Sequence, residues 1–512
     1  TCDDVTMKIT FVLPDLNYVS EYMPDYDGVF AHGVGYLSAS LKRSGHEVSL
    51  IHITREMARD EYIGSILDQK PDMVAFSLFS HQFGLVRKLA QYTKEAGKIY
   101  TIAGGVHPTV APEETLNDEN IDMVCIGEGE EALVELCDKM DQDKDYRNVE
   151  SIWVKDNGNI IRNNIRPLND NLESRPFPDR SIFDFEKLSD SRLGMLTALA
   201  GRGCPYGCTY CCNHQYRKLY PNPNKYVRFR DPEAIIREIN TVKREYPYLE
   251  YVNFLDDTFC LNKNWLREFL PRFKKEVNMP FHGNSHVNVL SEDIIKLLSD
   301  SGCEYLAMGI ESGNEDIRKN VLNRHMSNKQ IKEAFTLGRK YGIKITSYIM
   351  VGVPFEKIEN TLESVKLNAT VMCHKAHVSI FQPYPHTRLY EICKENGFLD
   401  NSTKEVSTFF GNSVLKLPTI SKEQTQFAYK YFPVFVKLYR IAYYIKPGKL
   451  SRCIEGILDR LYLAPIHNLY LEIYPVVFSI VCPVNSLKRL SLRIAPNLSR
   501  KIRQIIFKRK YM

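Results

Sequence analysis

The sequence predicts an α/β protein: a Rossmann-like doubly wound parallel sheet, then a partial (β/α)6 barrel of the TIM type, then a helical domain. Three observations predict it. Short apolar runs alternate with amphipathic stretches across residues 7–145, and the same alternation resumes across 191–400. Strands alternating with helices imply parallel sheets with helices on their faces. Residues 401–512 carry helix-like spacing without strand signals, and 146–190 read as a hairpin and linker between the first two units. At 512 residues the chain has room for about three domains of common size. Its 44% hydrophobic and 25% charged residues are ordinary for a soluble globular protein.

In the first unit KITFVLP (8–14) reads as a buried strand and VGYLSASLKRSG (34–45) as a helix closed by Gly45. HEVSLIHI (46–53), DMVAFSLFS (72–80), KIYTIAGG (98–105) and DMVCIGEGE (122–130) read as four further strands, with QFGLVRKLAQYTKEAG (82–97) a helix among them. Ligands of such sheets bind beyond the carboxyl ends of the strands. Those ends carry Ser77 and Ser80, then Gly104, Gly105 and His107, then Gly127, Glu128 and Gly129. Taken singly these glycines read as caps and turns. Together, at successive strand ends, they let a large flat ligand approach the backbone.

SIWVKDNGNIIRNNI (151–165) reads as a hairpin turning at Asn157 and Gly158, and the proline- and charge-rich 166–183 as an extended linker. LGMLTALAGRG (193–203) then delivers a strand into a glycine-rich loop. DPEAIIREINTVKREY (231–246) is a helix capped by Asp231, with Pro232 in its first turn. YVNFLDDTF (251–259), FHGNSHVNVL (281–290), EYLAMGIESG (304–313), KITSYIMVGVP (344–354) and AHVSIFQPYP (376–385) read as strands with helices between. Six strands from 195 to 385 predict an open, partial barrel, whose functional residues should collect at the C-terminal strand ends. The bland reading of Asp256 and Asp257 is a helix cap; His282, His286 and His377 read as satisfied core or rim histidines.

The loop GRGCPYGCTYCCNH (201–214) sets Cys204, Cys208 and Cys211 in a C-x3-C-x2-C run. Gly203, Pro205 and Gly207 favour a loop over a helix, so three thiolates can turn onto one metal assembly. Iron–sulfur cubes are normally held by four cysteine thiolates. Three would leave one iron open. Cys212 directly follows Cys211 and does not comfortably reach a second iron. Zinc usually wants a fourth ligand at a recognisable spacing, and His214 is too close to supply it easily. A disulfide would need an oxidising compartment, whereas thirteen cysteines without a paired framework suit a reducing cytoplasm. The start, TCDDVTMKITFVLP, shows no signal-peptide pattern.

With aromatic Tyr210 just before the last cysteine, C-x3-C-x-Φ-C resembles the signature of the radical S-adenosylmethionine (radical SAM) enzymes. HGVGYLSASLKRSGHEV, GGVHPTVAPEETL and CIGEGEEAL resemble the cobalamin-binding domain that precedes the radical SAM core in one large subclass. The resemblance spans about 7–140 and 190–400 of the chain. It implies a [4Fe–4S] cluster on Cys204, Cys208 and Cys211, with SAM chelating the open iron and being cleaved to a 5′-deoxyadenosyl radical. On the matching positions it implies SAM contacts from Tyr210, Asp256, Asp257, Glu311, Ser312 and Gly352. One of the aspartates would receive the methionine amine, Glu311 and Ser312 would lie near ribose and methionine, and adenine would pack against the Gly352 strand. His386 stands where glycine is usual in the family's last-strand segment. Ser77, Ser80, Gly104, Gly105, His107, Gly127, Glu128 and Gly129 would border cobalamin. The D-x-H-x-x-G motif that supplies a histidine to cobalt elsewhere is absent, so cobalamin would sit base-off, and His107 reads as a loop residue beside the corrin.

In most relatives of this kind an unreactive carbon is methylated. The resemblance therefore implies methyl transfer to a metabolite or lipid, with electrons from a donor such as flavodoxin or ferredoxin. An alternative is a cobalamin-containing rearrangement, cyclisation or ring contraction. An iron–sulfur electron-transfer or sensing protein is the alternative from another class.

The net charge of +5 is unevenly placed: residues 441–512 hold 13 Lys and Arg against 3 Asp and Glu. QFAYKYFPVFVKLYRIAYYI (426–445) and GKLSRCIEGILDRLYL (448–463) read as helices. In the apolar, tyrosine-rich 463–484, Pro465, Pro475, Pro483 and Glu472 argue against an uninterrupted spanning helix. SLKRLSLRIAPNLSRKIRQIIFKRK (486–510) mixes cations with Leu and Ile as segments lying on anionic membranes do. The competing reading is a helical domain packed on the barrel with a solvated basic face. No nucleic-acid module accompanies the charge. The expected location is cytoplasmic, with at most peripheral membrane contact.

Overall fold

The computed structural model describes residues 6–16, 26–399, 412–445 and 448–481. The N-terminal unit is one seven-stranded sheet of β1 (Lys8–Pro14), β2 (Glu47–Ile53), β3 (Met73–Ser77), β4 (Tyr100–Gly104), β5 (Met123–Cys125), β6 (Ile152–Asp156) and β7 (Asn159–Ile161). Its spatial order is β2-β1-β3-β4-β5-β6-β7. The first five strands are parallel, as the alternation predicts. Such strands are covered on both faces, and this is why their sequences are near-continuous apolar runs. Phe11, Ala75 and Ile102 face the core shared with the barrel, while Val12, Val74 and Phe76 face the outer helices.

Two details differ from the sequence reading. The 151–165 hairpin is not a free linker but continues the sheet, with Met123, Val124 and Cys125 pairing antiparallel to Val154, Trp153 and Ile152. It caps what would otherwise be an open β5 edge. β5 itself stops at Cys125, because Gly127 at φ +82 turns the chain into the helix Glu130–Asp141.

The second unit begins with β8 (Met195–Ala198), followed by a short ribbon of β9 (Gly201–Arg202) and β10 (Arg228–Phe229). β11 (Tyr251–Phe254), β12 (Phe281–Ser285), β13 (Cys303–Glu311), β14 (Lys344–Val351) and β15 (Lys375–Ile380) complete an all-parallel sheet ordered β15-β14-β13-β12-β11-β8. β8 and β15 are not neighbours, so the barrel stays open. The expected helix forms at Pro232–Glu245, where the Asp231 side chain accepts the Glu233 N–H. Such a cap is worth about 1 kcal/mol.

Three helices close the described chain: Lys422–Tyr444, Lys449–Leu463 and His467–Val481. They dock on the barrel through the buried Phe427, Phe435, Tyr439 and Tyr462; the Tyr462 hydroxyl lies 2.9 Å from Thr361 Oγ1 and Lys366 Nζ 2.8 Å from Asp459. Pro465 falls between the last two helices, and Pro475 lies inside the third. Among the described residues no helix is long and apolar enough to cross a membrane. The basic segment 486–510, and Pro483 before it, lie outside the described residues.

Candidate active site

The strand order 2-1-3-4-5 reverses between β1 and β3, and ligands of such sheets enter the crevice outside the carboxyl ends there. A cavity of about 430 Å³ occupies that place. Its N-terminal wall includes Gly33, Tyr36, Ser77, Gly104, Gly105, Gly127, Glu128 and Gly129; its other wall, from the barrel unit, is Leu199, Gly201, Arg202, Gly203, Leu255, Asp256 and Asp257. Two sets of strand ends far apart in sequence thus share one opening. Ser80 and His107, expected beside the same ligand, do not line it. His107 is 2% exposed, its Nδ1 lies 3.2 Å from Ser80 Oγ, its ring packs on Phe83 at 4.3 Å, and burial lowers it to about 4.

The glycines play different parts. A Cβ on Gly33 would meet nothing within 4 Å, and one on Gly104 only ordinary contacts, so both keep the cavity floor open to a ligand. Gly105 sits at φ +99, and its Cβ would lie 2.9 Å from the Leu78 carbonyl oxygen. Its small size is required by the protein's own backbone.

Cys204, Cys208, Cys211 and Cys212 lie in the loop between β9 and the helix Asn213–Leu219. All described cysteines, these four included, are free thiols. Residues outside the loop supply polar partners to the sulfurs. Arg324 Nη1 donates to Cys208 Sγ at 3.4 Å, Asn213 Nδ2 to Cys211 Sγ at 3.5 Å, and Thr258 Oγ1 lies 3.8 Å from Cys204 Sγ. A hydrogen bond between the Cys211 and Cys212 thiols lowers the first and pushes the second up. Among the described residues no three His, Cys, Asp or Glu side chains converge as ligands of a single metal ion. Thiolates of a cube stand on separate irons, so three cysteines with nearby donors suit a cluster's ligand set.

Asp256 and Asp257 follow β11 and reach the cavity beside this loop; neither caps a helix. Asp256 Oδ2 accepts the Ala200 N–H at 2.9 Å, while its buried Oδ1 has no hydrogen-bond partner. Burial raises its carboxyl to about 7 and raises Asp257 as well. Asp256 lines the cavity and keeps one buried carboxylate oxygen without a partner, so it is a candidate acceptor for a ligand ammonium.

The end of β13 places Glu311 at φ +67, an uncommon conformation for a residue with a side chain. Tyr210 donates to Glu311 Oε1 at 3.0 Å, and Arg324 donates to the Tyr210 hydroxyl at 3.2 Å and the Gly309 carbonyl at 2.6 Å. Burial raises the Glu311 carboxyl, with Arg324 and Tyr210 opposing. Tyr210, Glu311, Ser312 and Gly352 do not line the cavity. Ser312 is fully buried, its hydroxyl accepting the Asn314 N–H at 3.3 Å. Gly352 donates to Glu356 at 2.7 Å, and a Cβ there would lie 2.8 Å from Thr425 Cγ2. The close approach that Gly352 permits is made by the helix Lys422–Tyr444.

Residues alternating inward along the barrel strands include His282, Tyr305, Lys344, Tyr348, Lys375 and His377. Closed barrels fill these positions with branched aliphatics. Here these six are aromatic or basic, so this face of the sheet is partly polar.

The two units are clamped by buried charge. Glu128 meets Arg175 at 3.1 Å, Arg202 at 3.1 Å and Arg228 at 2.5 Å, and Glu130 meets Arg202 at 2.6 Å. Burial opposes ionisation of Glu128, but the guanidiniums of Arg202, Arg228 and Arg175 prevail and hold it at about 2. The carboxylate expected to border cobalamin is therefore committed to arginines. Deeper in, Arg180 and Arg230 share Glu238.

Residues 199–367 match the family model of the radical SAM superfamily, and residues 29–137 match that of the B12 binding domain. The two models fall on the two walls of the cavity. The chain belongs to the cobalamin-dependent radical SAM enzymes. The cofactors of these enzymes are cobalamin, SAM and an iron–sulfur cluster. The chain is 27% identical over 451 residues to an uncharacterized methyltransferase of Pyrococcus horikoshii, covering 87% of this chain and 94% of that one. It is 23% identical over 371 residues to the anaerobic magnesium-protoporphyrin IX monomethyl ester cyclase of Rubrivivax gelatinosus, covering 70% of this chain and 65% of that one. Its fold is that of the cobalamin-dependent S-adenosylmethionine radical enzyme OxsB with aqua-cobalamin and S-adenosylmethionine bound, with a TM-score of 0.66 at 15% identity over 99% of this chain and 75% of that one.

Proposed function

We propose that this enzyme is a methyltransferase that uses SAM in two ways and adds a methyl group to an unactivated carbon of a metabolite or lipid. The observation that carries the reading is the single cavity on which the glycine-floored strand ends of the first unit and the Asp256–Asp257 end of the second both open. When bound, the cofactors supply the radical and the methyl group, and the protein's task is to hold, orient and shield them. Cys204, Cys208 and Cys211 would hold a [4Fe–4S] cluster. Asp256 would accept the ammonium of SAM on its unpartnered oxygen, and Asp257 would add negative charge beside it. Tyr210 and Glu311, tied together by a hydrogen bond and to Arg324, would fix the neighbouring wall. Gly33 and Gly104 would let the corrin lie against backbone. The polar sheet face, where the Tyr348 and His377 ring centroids lie 5.5 Å apart, would receive the substrate. A small reducing protein such as flavodoxin or ferredoxin would deliver electrons in the cytoplasm.

The likeness to a methyltransferase along 94% of that relative's length supports methyl transfer. The likeness to a cyclase favours a second reading, in which no methyl is transferred. Anaerobic reconstitution with cluster, cobalamin and SAM, followed by mass analysis of a cell extract, separates them. Methyl transfer should yield 5′-deoxyadenosine and S-adenosylhomocysteine in near-equal amounts, with a product heavier by one methylene. Substrate-dependent 5′-deoxyadenosine without S-adenosylhomocysteine would hand the case to the cyclase-like reading.

A further inference from the structure

We infer that the exposed apolar face of the last two described helices docks on an anionic phospholipid surface. Among the described residues, nine of the seventeen exposed large hydrophobic side chains lie between Leu438 and Ile473. On the helix Lys449–Leu463, Leu450, Ile457 and Leu461 are 63%, 50% and 44% exposed. Their spacing of seven and four residues puts them on one stripe. Ile466 in the connector, then Leu469 and Ile473 one turn apart on the next helix, extend the apolar surface along the chain. This stripe is not what holds the helices to the barrel. Leu458 and Tyr462, which do, are buried on another face.

Isolated exposed leucines are ordinary, but a run of them marks an interaction surface. Its chemistry is set by what borders it. Lys449, Arg452 and Arg460 are exposed on the same helix. The chain then continues into residues 482–512, which hold nine Lys and Arg and no Asp or Glu. An apolar stripe flanked by cations, on helices that are not, among the described residues, long and apolar enough to span, is the signature of a segment lying in a membrane interface. The positive flank selects anionic headgroups. A second copy is the poorer occupant, because a two-fold pairing of this patch would bring the exposed cations Lys449, Arg452 and Arg460 of the two copies together.

The test is co-sedimentation of the full-length protein with vesicles of phosphatidylcholine alone or mixed with phosphatidylglycerol. At 0.1 M salt the protein should pellet with the mixed vesicles and remain in solution with phosphatidylcholine. Binding should weaken at 1 M salt, where the screening length falls from about 10 Å to about 3 Å. Ile457→Ser with Leu461→Ser should lower partitioning about tenfold or more while leaving the melting temperature unchanged. The pair Leu469→Ser and Ile473→Ser gives an independent check on the neighbouring helix. No binding to either vesicle, equal binding to both, or serine pairs that bind like the wild type would each overturn the inference. So would a dimer in solution that the serine pairs dissociate, which would assign the face to a second copy.

Discussion

Asp256→Asn should stabilise the ligand-free protein at pH 8 and weaken its hold on SAM, two effects of one buried carboxyl. Asp256 is 4% exposed; one oxygen accepts the Ala200 N–H and the other has no partner. Burial raises its carboxyl from 3.8 to about 7. At about 1.4 kcal/mol per pH unit, ionising Asp256 in the folded chain costs on the order of 4 kcal/mol more than in the unfolded chain. Between those two values the unfolded chain has released a proton that the folded chain keeps. Stability therefore falls as pH rises from about 4 to about 7 and is level above. Roughly 2 kcal/mol of the loss lies between pH 5.5 and pH 8. Asparagine keeps the acceptor for Ala200 and removes the ionisation. Melting curves of wild type and variant should diverge over this range, with the variant gaining until about pH 7. Calorimetric titration of the reconstituted proteins with SAM should show about tenfold or greater loss of affinity, because a charge-assisted bond is worth about 1.5–3 kcal/mol. Melting temperatures that run parallel with pH would refute the account of the carboxyl. Unchanged SAM affinity would remove Asp256 from the SAM site.

Gly33→Phe should abolish retention of hydroxocobalamin through gel filtration while keeping the melting temperature. A Cβ at Gly33, in the first turn of its helix, meets nothing within 4 Å, so the substitution begins in open space at the cavity. Gly105→Ala should instead destabilise the apoprotein by about 1–3 kcal/mol in denaturant unfolding, through its strained φ and the contact with Leu78. Cys208→Ala should lose cluster absorbance and SAM cleavage, whereas Cys212→Ala should keep both; full iron in reconstituted Cys208→Ala would contradict the ligand set.

The strands were legible because a parallel strand's requirements are local: KITFVLP can be buried on both faces wherever it pairs. Pairing partners were not. Asn157 and Gly158 announce a hairpin turn, but nothing near them says that Trp153 will lie against Val124. The glycines show the same limit more sharply. Gly33, Gly105 and Gly352 carry equal weight in a sequence, yet one faces open space, one faces Leu78 and one faces Thr425. A missing side chain signals a close neighbour without saying whether it is ligand or protein. Arg324 was missed because its contact with Cys208 spans 116 residues. In the structure a π-helical turn at Ile317–Val321 precedes it, a departure that often accompanies functional sites.

The interdomain arginines explain why this cavity needs more than apolar packing. Its two walls belong to sheets that fold on separate strand orders, and each wall carries part of the chemistry. Reaction between groups on different walls depends on placement to within about 1 Å, and a slipped interface costs about 10²-fold in rate. Apolar contact is non-directional and tolerates sliding. Glu128, held at one strand end by Arg175 from the linker and by Arg202 and Arg228 from the ribbon beside the cysteine loop, does not. Each of those bonds has a direction, and a shift that lengthens one leaves a buried charge short of its partner. Buried ion pairs of this kind add little to stability over a packed apolar substitute. What they supply here is register. Arg202 stands two residues before Cys204, so the clamp that fixes the first unit's glycine-lined wall also fixes the start of the cysteine loop.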